Sequence, residues 1–137
     1  RDLRMSRGLG DVYKRQDMGC FGDTIIRVLG QCDSVLIEAN HDINMLQVGP
    51  YPYSLKMRIL GNKGHLSNTS CADLIKEILH KDLKHLVLGH LSRENNFPQL
   101  AYRTVLDELE KTETWGTLDT RLMVASRDEP TELLKIN

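Results

Sequence analysis

The sequence predicts an α/β fold, in which short strands alternate with helices. Three apolar runs have the length and composition of buried strands, at residues 34–38, 84–89 and 122–125. Capped or amphipathic segments lie between them, so the expected order of elements is αβααβαβ. Because the links are short and the two kinds of element alternate, a layered architecture with helices packed on a sheet is expected.

The first half should contain one strand and three short helices. Asp23 is expected to cap a helix over residues 23–29. After the strand at 34–38, Asp42 can cap a brief helix that stops at Gly49. Pro52 can begin the next helix, which should continue to about residue 60, since its fixed φ suits a first helical turn.

The second half should contain two longer helices. Ser67 or Asn68 is expected to cap the first, whose apolar positions follow helical spacing at Cys71, Ala72, Ile75, Ile78 and Leu79. Asn96 and Pro98 are expected to open the second, with an apolar stripe at Ala101, Tyr102, Val105 and Leu109. Residues 111–120 are polar and are expected to form a loop or a frayed turn.

Composition narrows the class of protein. The 137 residues are 40% hydrophobic and 27% charged, which suits one globular domain. The net charge of −1 provides no overall basic field. No apolar run approaches the roughly 18 residues that span a bilayer. Three cysteines without a C-x-x-C pair indicate small packing residues in a reducing cytoplasm rather than disulfides or a zinc knuckle.

Residues 1–16 differ from the remainder. They are rich in Arg, Lys and Gly, lack an apolar segment typical of a secretory signal, and show no sustained period. The stretch resembles translated adaptor sequence from the ends of sequencing reads, which makes it a non-native segment. The alternative is a disordered basic arm.

The tetrapeptide Gly-His-Leu-Ser occurs twice, at residues 64–67 and 89–92. Each copy places a histidine, His65 or His90, at a break in regular structure. The second copy ends the predicted strand at 84–89, and open α/β sheets place their chemistry at such strand ends. Because the two copies have different settings, they are not interpreted as a fold repeat. We expect the two histidines to face one site.

Several carboxylates and imidazoles lie near predicted strand ends and loops: Asp17, Glu38, His41, His65 and His90. Together these groups suit a divalent transition metal, because both offer lone pairs at neutral pH. Taken singly, Asp17 is equally well a turn residue, His65 a loop residue and His90 a strand-end residue bonded to backbone. His80 and His85 are expected at the surface or at its boundary.

Four segments in chain order carry a resemblance to a known family: residues 38–42 (Glu-Ala-Asn-His-Asp), 49–53, 64–68 and 89–96. They resemble the metallo-β-lactamase-fold hydrolases, and within these the WalJ (YycJ) subgroup, described as DNA exonucleases. The resemblance covers residues 17 to about 130. It implies an αββα sandwich, with residues 17–137 as the C-terminal part of the domain. It also implies two divalent metal ions, zinc or manganese, and a phosphodiester substrate such as nucleic acid.

Matching positions imply roles for individual residues. Asp17 corresponds to the aspartate that bridges both metals, and His90 to the last metal-binding histidine. His65 corresponds to a histidine that lies beside the scissile phosphate and assists proton transfer in a related tRNA-processing branch. Glu38 and His41 would contact ligands or substrate, with Glu38 orienting His65. Four basic side chains could contact a nucleic-acid backbone, although each is also explained as a solvated surface charge: Lys56, Arg58, Lys63 and Arg93.

The family's His-x-His-x-Asp-His signature does not occur in the 137 residues. A catalytic zinc needs about three protein ligands, whereas Asp17 and His90 supply two. We therefore expect a fragment, inactive alone, of a binuclear metal-dependent hydrolase of the phosphodiesterase or exonuclease type. The alternative is a non-catalytic α/β binding or regulatory domain that lacks a complete metal site. The sequence does not predict the oligomeric state.

Overall fold

A computed structural model describes residues 22–60 and 65–126 of the chain. In this part, the structure contains five α-helices: α1 Asp23–Leu29, α2 Ile43–Val48, α3 Tyr53–Leu60, α4 Asn68–Ile78 and α5 Pro98–Glu110. The strands are β1 Ser34–Glu38, β2 His85–Gly89 and β3 Arg121–Val124. The α/β class is confirmed over these residues. The order is αβαααβαβ: the helices predicted segment by segment are present, and the expected order αβααβαβ has one helix too few between β1 and β2. A short 3₁₀ helix, Trp115–Thr117, interrupts the expected polar loop at 111–120.

The three strands form a parallel sheet in the order β1-β2-β3. Parallel neighbours require crossover connections: α2, α3 and α4 connect β1 to β2, and α5 connects β2 to β3. The register pairs Glu38 with Gly89 at the carboxyl ends of β1 and β2. The residue that follows β2, His90, therefore leaves the sheet beside the last residue of β1.

The hydrophobic core lies on one face of this sheet. Alternate strand residues are buried in it together with one stripe of α4 and of α5: Val35, Ile37, Leu86, Leu88, Leu122, Cys71, Ala72, Ile75, Ile78, Ala101, Val105 and Leu109. Helix α4 packs against α1 and α5, and α5 also packs against β3. Leu36 is 60% exposed, since side chains alternate along a strand and it points to the opposite face. By the same alternation, Glu38 lies on the face away from the core.

The helix ends agree with the sequence predictions at two positions. The Asp42 carboxylate accepts from the Met45 N–H at 2.9 Å at the start of α2, and the Ser67 hydroxyl accepts from the Ser70 N–H at 3.1 Å at the start of α4. These bonds satisfy N–H groups that have no partner within the helix.

Two local predictions were wrong. Asp23 is the first residue of α1 rather than its cap. Gly22 occupies the cap position, so α1 begins without a side-chain capping bond. Tyr102 is 37% exposed instead of lying in the buried stripe of α5. The buried face of α5 follows the i, i+4, i+8 row of Ala101, Val105 and Leu109, so position 102 lies at its margin. Leu106, one turn after Tyr102, packs only partly against the core.

No helix in the described ranges is long and apolar enough to cross a membrane. Residues 1–16, Asp17 and Lys63 lie outside the described residues, so the expectations for them stay predictions.

Candidate metal centre

The candidate site forms where three loops meet at the carboxyl edge of the sheet. The loop after β1 pairs with the residues before α4: the Asn40 N–H donates to the Leu66 carbonyl at 2.9 Å, and the Asn68 N–H donates to the His41 carbonyl at 2.8 Å. The loop after β2 joins them, since the Ser92 N–H donates to the Asn40 carbonyl at 2.7 Å. These bonds bring together side chains that lie far apart in the sequence.

Glu38, His65 and His90 converge at this point. Oε2 of Glu38 lies 2.7 Å from Nδ1 of His65 and also forms a short hydrogen bond with Nδ1 of His90. Its other oxygen, Oε1, accepts from the Leu66 N–H at 3.2 Å. The two imidazole rings are tilted at 59°, with their centroids 5.3 Å apart. A single carboxylate therefore connects both histidines and the backbone that precedes α4.

Exposure changes sharply across the cluster. The Glu38 side chain is 3% exposed, whereas the side chains of His65 and His90 are 39% and 68% exposed. A buried carboxylate requires hydrogen-bond partners, and here they include both imidazoles and the Leu66 N–H. The carboxylate thus lies at the base of the site, and the imidazoles form its solvent-facing side.

The hydrogen bonds to Glu38 constrain the histidine tautomers. When Glu38 is ionised it only accepts hydrogen bonds, and both Nδ1 atoms then carry the protons that they donate to it. In neutral imidazoles, both Nε2 atoms are then unprotonated and can bind a cation. A carboxylate bonded to the second nitrogen is the usual partner of a metal-binding histidine, because it holds the ring orientation and raises its basicity.

The donor set fits a transition-metal ion. Each of Glu38, His65 and His90 offers an atom that lies within 4.8 Å of those of the other two, and no other group of three or more His, Cys, Asp or Glu in residues 22–60 and 65–126 does so. Two imidazoles and a carboxylate suit zinc or manganese. The carboxylate can bind the cation directly or hold the two imidazoles that do so.

His90 adopts an unusual backbone conformation. Its φ is 56°, a left-handed value that a non-glycine residue rarely adopts. The Asn40 side-chain amide donates to the His90 carbonyl at 3.0 Å and stabilises this turn. Strained backbone that neighbours hold in place is frequent at functional sites. Here the turn directs the histidine toward Glu38 as soon as β2 ends.

His41 lies behind the cluster rather than within it. It is buried, with 1% exposure, and its Nδ1 lies 3.2 Å from the Asn40 side-chain oxygen. Burial lowers the pKa of His41 to about 4, and this outweighs the negative charge of Glu38, which raises it. The ring is therefore neutral near pH 7.

Three asparagines that the sequence reasoning did not single out as site residues support these loops. Asn68 and Asn96 form a reciprocal amide pair, with bonds of 2.8 and 3.1 Å, and Asn96 also donates to the Ala39 carbonyl at 2.9 Å. Both are buried. Asn40 contacts all three loops, as described above. Their signal in the sequence was weak: they are polar residues placed directly after strands or at a helix cap.

Two cavities adjoin the histidines. The first, of about 660 Å³, lies between α3 and the loop after β2, and Tyr51, Arg58 and Arg93 line it. The second, of about 640 Å³, extends from His90 past Phe97. His90 and Arg93 line both cavities. Of the other predicted phosphate contacts, Lys56 donates to the Gln47 carbonyl at 2.7 Å and lines neither cavity.

His80 and His85 lie away from this site. His80 bonds to the Cys32 carbonyl at 2.9 Å, and His85 to the Ser34 hydroxyl at 3.1 Å. Both are partly exposed, which agrees with the expected boundary positions.

Comparison with known proteins identifies relatives of the chain. It is 38% identical to exodeoxyribonuclease WalJ of Streptococcus pneumoniae over 120 residues. This aligned region covers 88% of this chain and 45% of that protein. It is 37% identical to exodeoxyribonuclease YycJ of Bacillus anthracis over 95 residues. This aligned region covers 69% of this chain and 36% of that protein. No protein-family model and no solved structure matches it. The chain is thus a homologue of the WalJ and YycJ proteins and spans less than half the length of these curated relatives.

Proposed function

We propose that this chain forms part of a metal-dependent phosphodiesterase that acts on DNA as an exonuclease, with two divalent metal ions and a metallo-β-lactamase-type αββα fold. The observation that carries the proposal is the Glu38–His65–His90 cluster at the ends of two parallel strands. The relatives named exodeoxyribonuclease support the choice of reaction and substrate.

Each residue of the cluster has a distinct task in this proposal. His90 would hold a metal ion. Asp17, which precedes the described residues, would be a carboxylate ligand to both metals. Glu38 contacts Nδ1 of both imidazoles, which leaves Nε2 free of that carboxylate. A bound divalent cation would stabilise the negative charge that develops on a phosphoryl oxygen.

His65 is the proposed proton donor for the leaving oxygen. Its Nδ1 is held 2.7 Å from the Glu38 carboxylate, and its side chain is 39% exposed and lines the first cavity. The protonated ring can give the Nε2 proton to a departing alkoxide, while Glu38 stabilises the charge on the ring. His41 is buried and contributes by supporting the loop after β1.

The remaining ligands would come from sequence outside this chain. The relatives are more than twice as long as the matched region, and a two-metal site needs more ligands than Asp17 and His90 provide. Residues 1–16 are proposed to be non-native. The coding sequence upstream of Asp17 should therefore encode a different segment that contains a His-x-His-x-Asp-His motif. Finding these same 16 residues in an independent genome would contradict this part of the proposal.

The activity is tested with the full-length protein encoded by the complete gene. We expect Asp17→Ala and His90→Ala to abolish hydrolysis of 5′- or 3′-labelled DNA in the presence of Mn²⁺ or Zn²⁺. His85→Ala, a histidine at the sheet boundary, is the matched control and should retain activity. Retained hydrolysis in the His90 variant would show that the ligand assignment is wrong. DNA binding without any hydrolysis by the wild-type protein would favour the binding-domain alternative.

A further inference from the structure

The two cavities beside the histidines share one wall. The loop from His90 to Arg93 separates them, and all four of its residues line both. Volumes of about 660 and 640 Å³ fall within the usual range of about 300–1,000 Å³ for ligand pockets. The candidate metal ligand His90 therefore lies at a ridge with a pocket on each side.

Each pocket contains an aromatic residue away from the ridge. Tyr51 lines the first together with the apolar side chains of Leu55 and Ile59. Phe97, 47% exposed, lines the second beside Pro98 and Val124. Exposed aromatic rings on which bases stack are the usual means of binding single-stranded nucleic acid without sequence preference.

The charged groups are placed to suit a polynucleotide backbone. Arg93 lines both pockets, and Arg58 lines the first. Among the described lining residues, Glu94 is the one carboxylate, and it lies in the first pocket. Among the residues that line the pockets, the two arginines outnumber the one carboxylate, although the whole chain has a net charge of −1. Arginine at this position can contact the phosphate on either side of the ridge.

We infer that a single strand of nucleic acid crosses the His90–Arg93 ridge, with the nucleotides on the two sides of the scissile phosphate in separate pockets. The inference rests on the proposed function and adds the binding positions of the two bases: one base stacks on Tyr51 and the other on Phe97. A phosphodiester joins two nucleotides, so a site centred on His90 requires space on both sides, and the structure has it.

The test measures binding in EDTA, so that it does not depend on hydrolysis. In the full-length protein, Tyr51→Leu and Phe97→Leu are compared with Tyr53→Leu, an equivalent change at a 76% exposed tyrosine that lines neither pocket. Fluorescence anisotropy gives the Kd for a labelled thymidine dinucleotide. We expect each pocket variant to bind about tenfold more weakly, as the loss of one base–aromatic stack implies. Tyr53→Leu should bind as the wild type does.

Two further measurements separate stacking from a general loss of structure. Tyr51→Phe retains the ring and should restore binding. Thymidine 5′-monophosphate has one base and fills one pocket. Its binding affinity should therefore be lowered by at most one of the two leucine variants. Dinucleotide affinity within twofold of the Tyr53→Leu value in both pocket variants would overturn the inference. Hydrolysis of bis(4-nitrophenyl) phosphate tests the proposed function separately, because that small ester needs neither base pocket.

Discussion

Nδ1 of His65 lies 2.7 Å from Oε2 of Glu38, although 27 residues separate them in the chain. The same oxygen accepts from His90, 52 residues away from Glu38. One carboxylate oxygen thus contacts Nδ1 of both imidazoles and joins two segments that are distant in the sequence.

Glu38→Gln should weaken metal binding about 10- to 100-fold, as loss of a carboxylate partner of a ligating histidine usually does. A glutamine amide can accept from the histidines only if its NH₂ group faces the Leu66 N–H, where two donors would oppose each other. Isothermal titration of the full-length protein with Zn²⁺ measures the effect. Glu77→Gln, at an exposed position of α4, is the control, and equal affinities for the two variants would contradict the assigned role.

His90→Gly should be more stable than His90→Ala by about 1 kcal/mol, because alanine retains the cost of a left-handed backbone and glycine does not. Both variants lose the imidazole, so the difference isolates the backbone conformation at φ 56°. Urea unfolding measures it. At Arg103, an exposed position within α5, the alanine variant should instead be more stable than the glycine variant. A more stable alanine variant at both positions would show that the turn is unstrained.

Asn96→Ala should lower the free energy of unfolding by about 2–4 kcal/mol. The change removes the amide pair with Asn68 and the bond to Ala39, and it leaves buried polar groups without partners. Asn44→Ala, at an exposed position of α2, should change stability by less than about 0.5 kcal/mol. Chemical denaturation of both variants is the measurement. Similar values for the two would mean that the amide pair does not stabilise the loops.

Acid should destabilise the protein through His41. Its pKa is about 4 when folded and 6.5 in the reference state, so between these values the unfolded chain binds a proton that the folded chain does not. The contribution of His41 to the free energy of unfolding is therefore fully present above pH 6.5. It falls by up to about 3 kcal/mol as the pH decreases toward 4. Urea unfolding at pH 7.5, 6.5, 5.5 and 4.5 measures the slope. His41→Asn should remove the contribution of His41 to the slope of unfolding free energy against pH. An unchanged slope in this variant would assign the effect to other groups.

The helices and strands were largely predictable because their signals are local. The strand at 34–38 and the stripes of α4 and α5 follow directly from residue spacing. One error was local and the other depended on tertiary packing. Asp23 had the chemistry of a cap but lies one position inside α1. Tyr102 was assigned to the buried stripe, and the rotation of α5 against the core places it at the surface.

The candidate site was predictable only in part. The sequence alone indicated that Glu38 and His90 lie near strand ends and His65 in a loop, since apolar runs and glycines mark those positions. It also indicated the chemistry that such groups share. The parallel register of β1 and β2, and the pairing of residues 39–41 with 66–68, decided that all three meet. These contacts depend on packing between distant segments, which local periodicity does not encode. The shared oxygen of Glu38, the left-handed turn at His90 and the two pockets beside it follow from that packing.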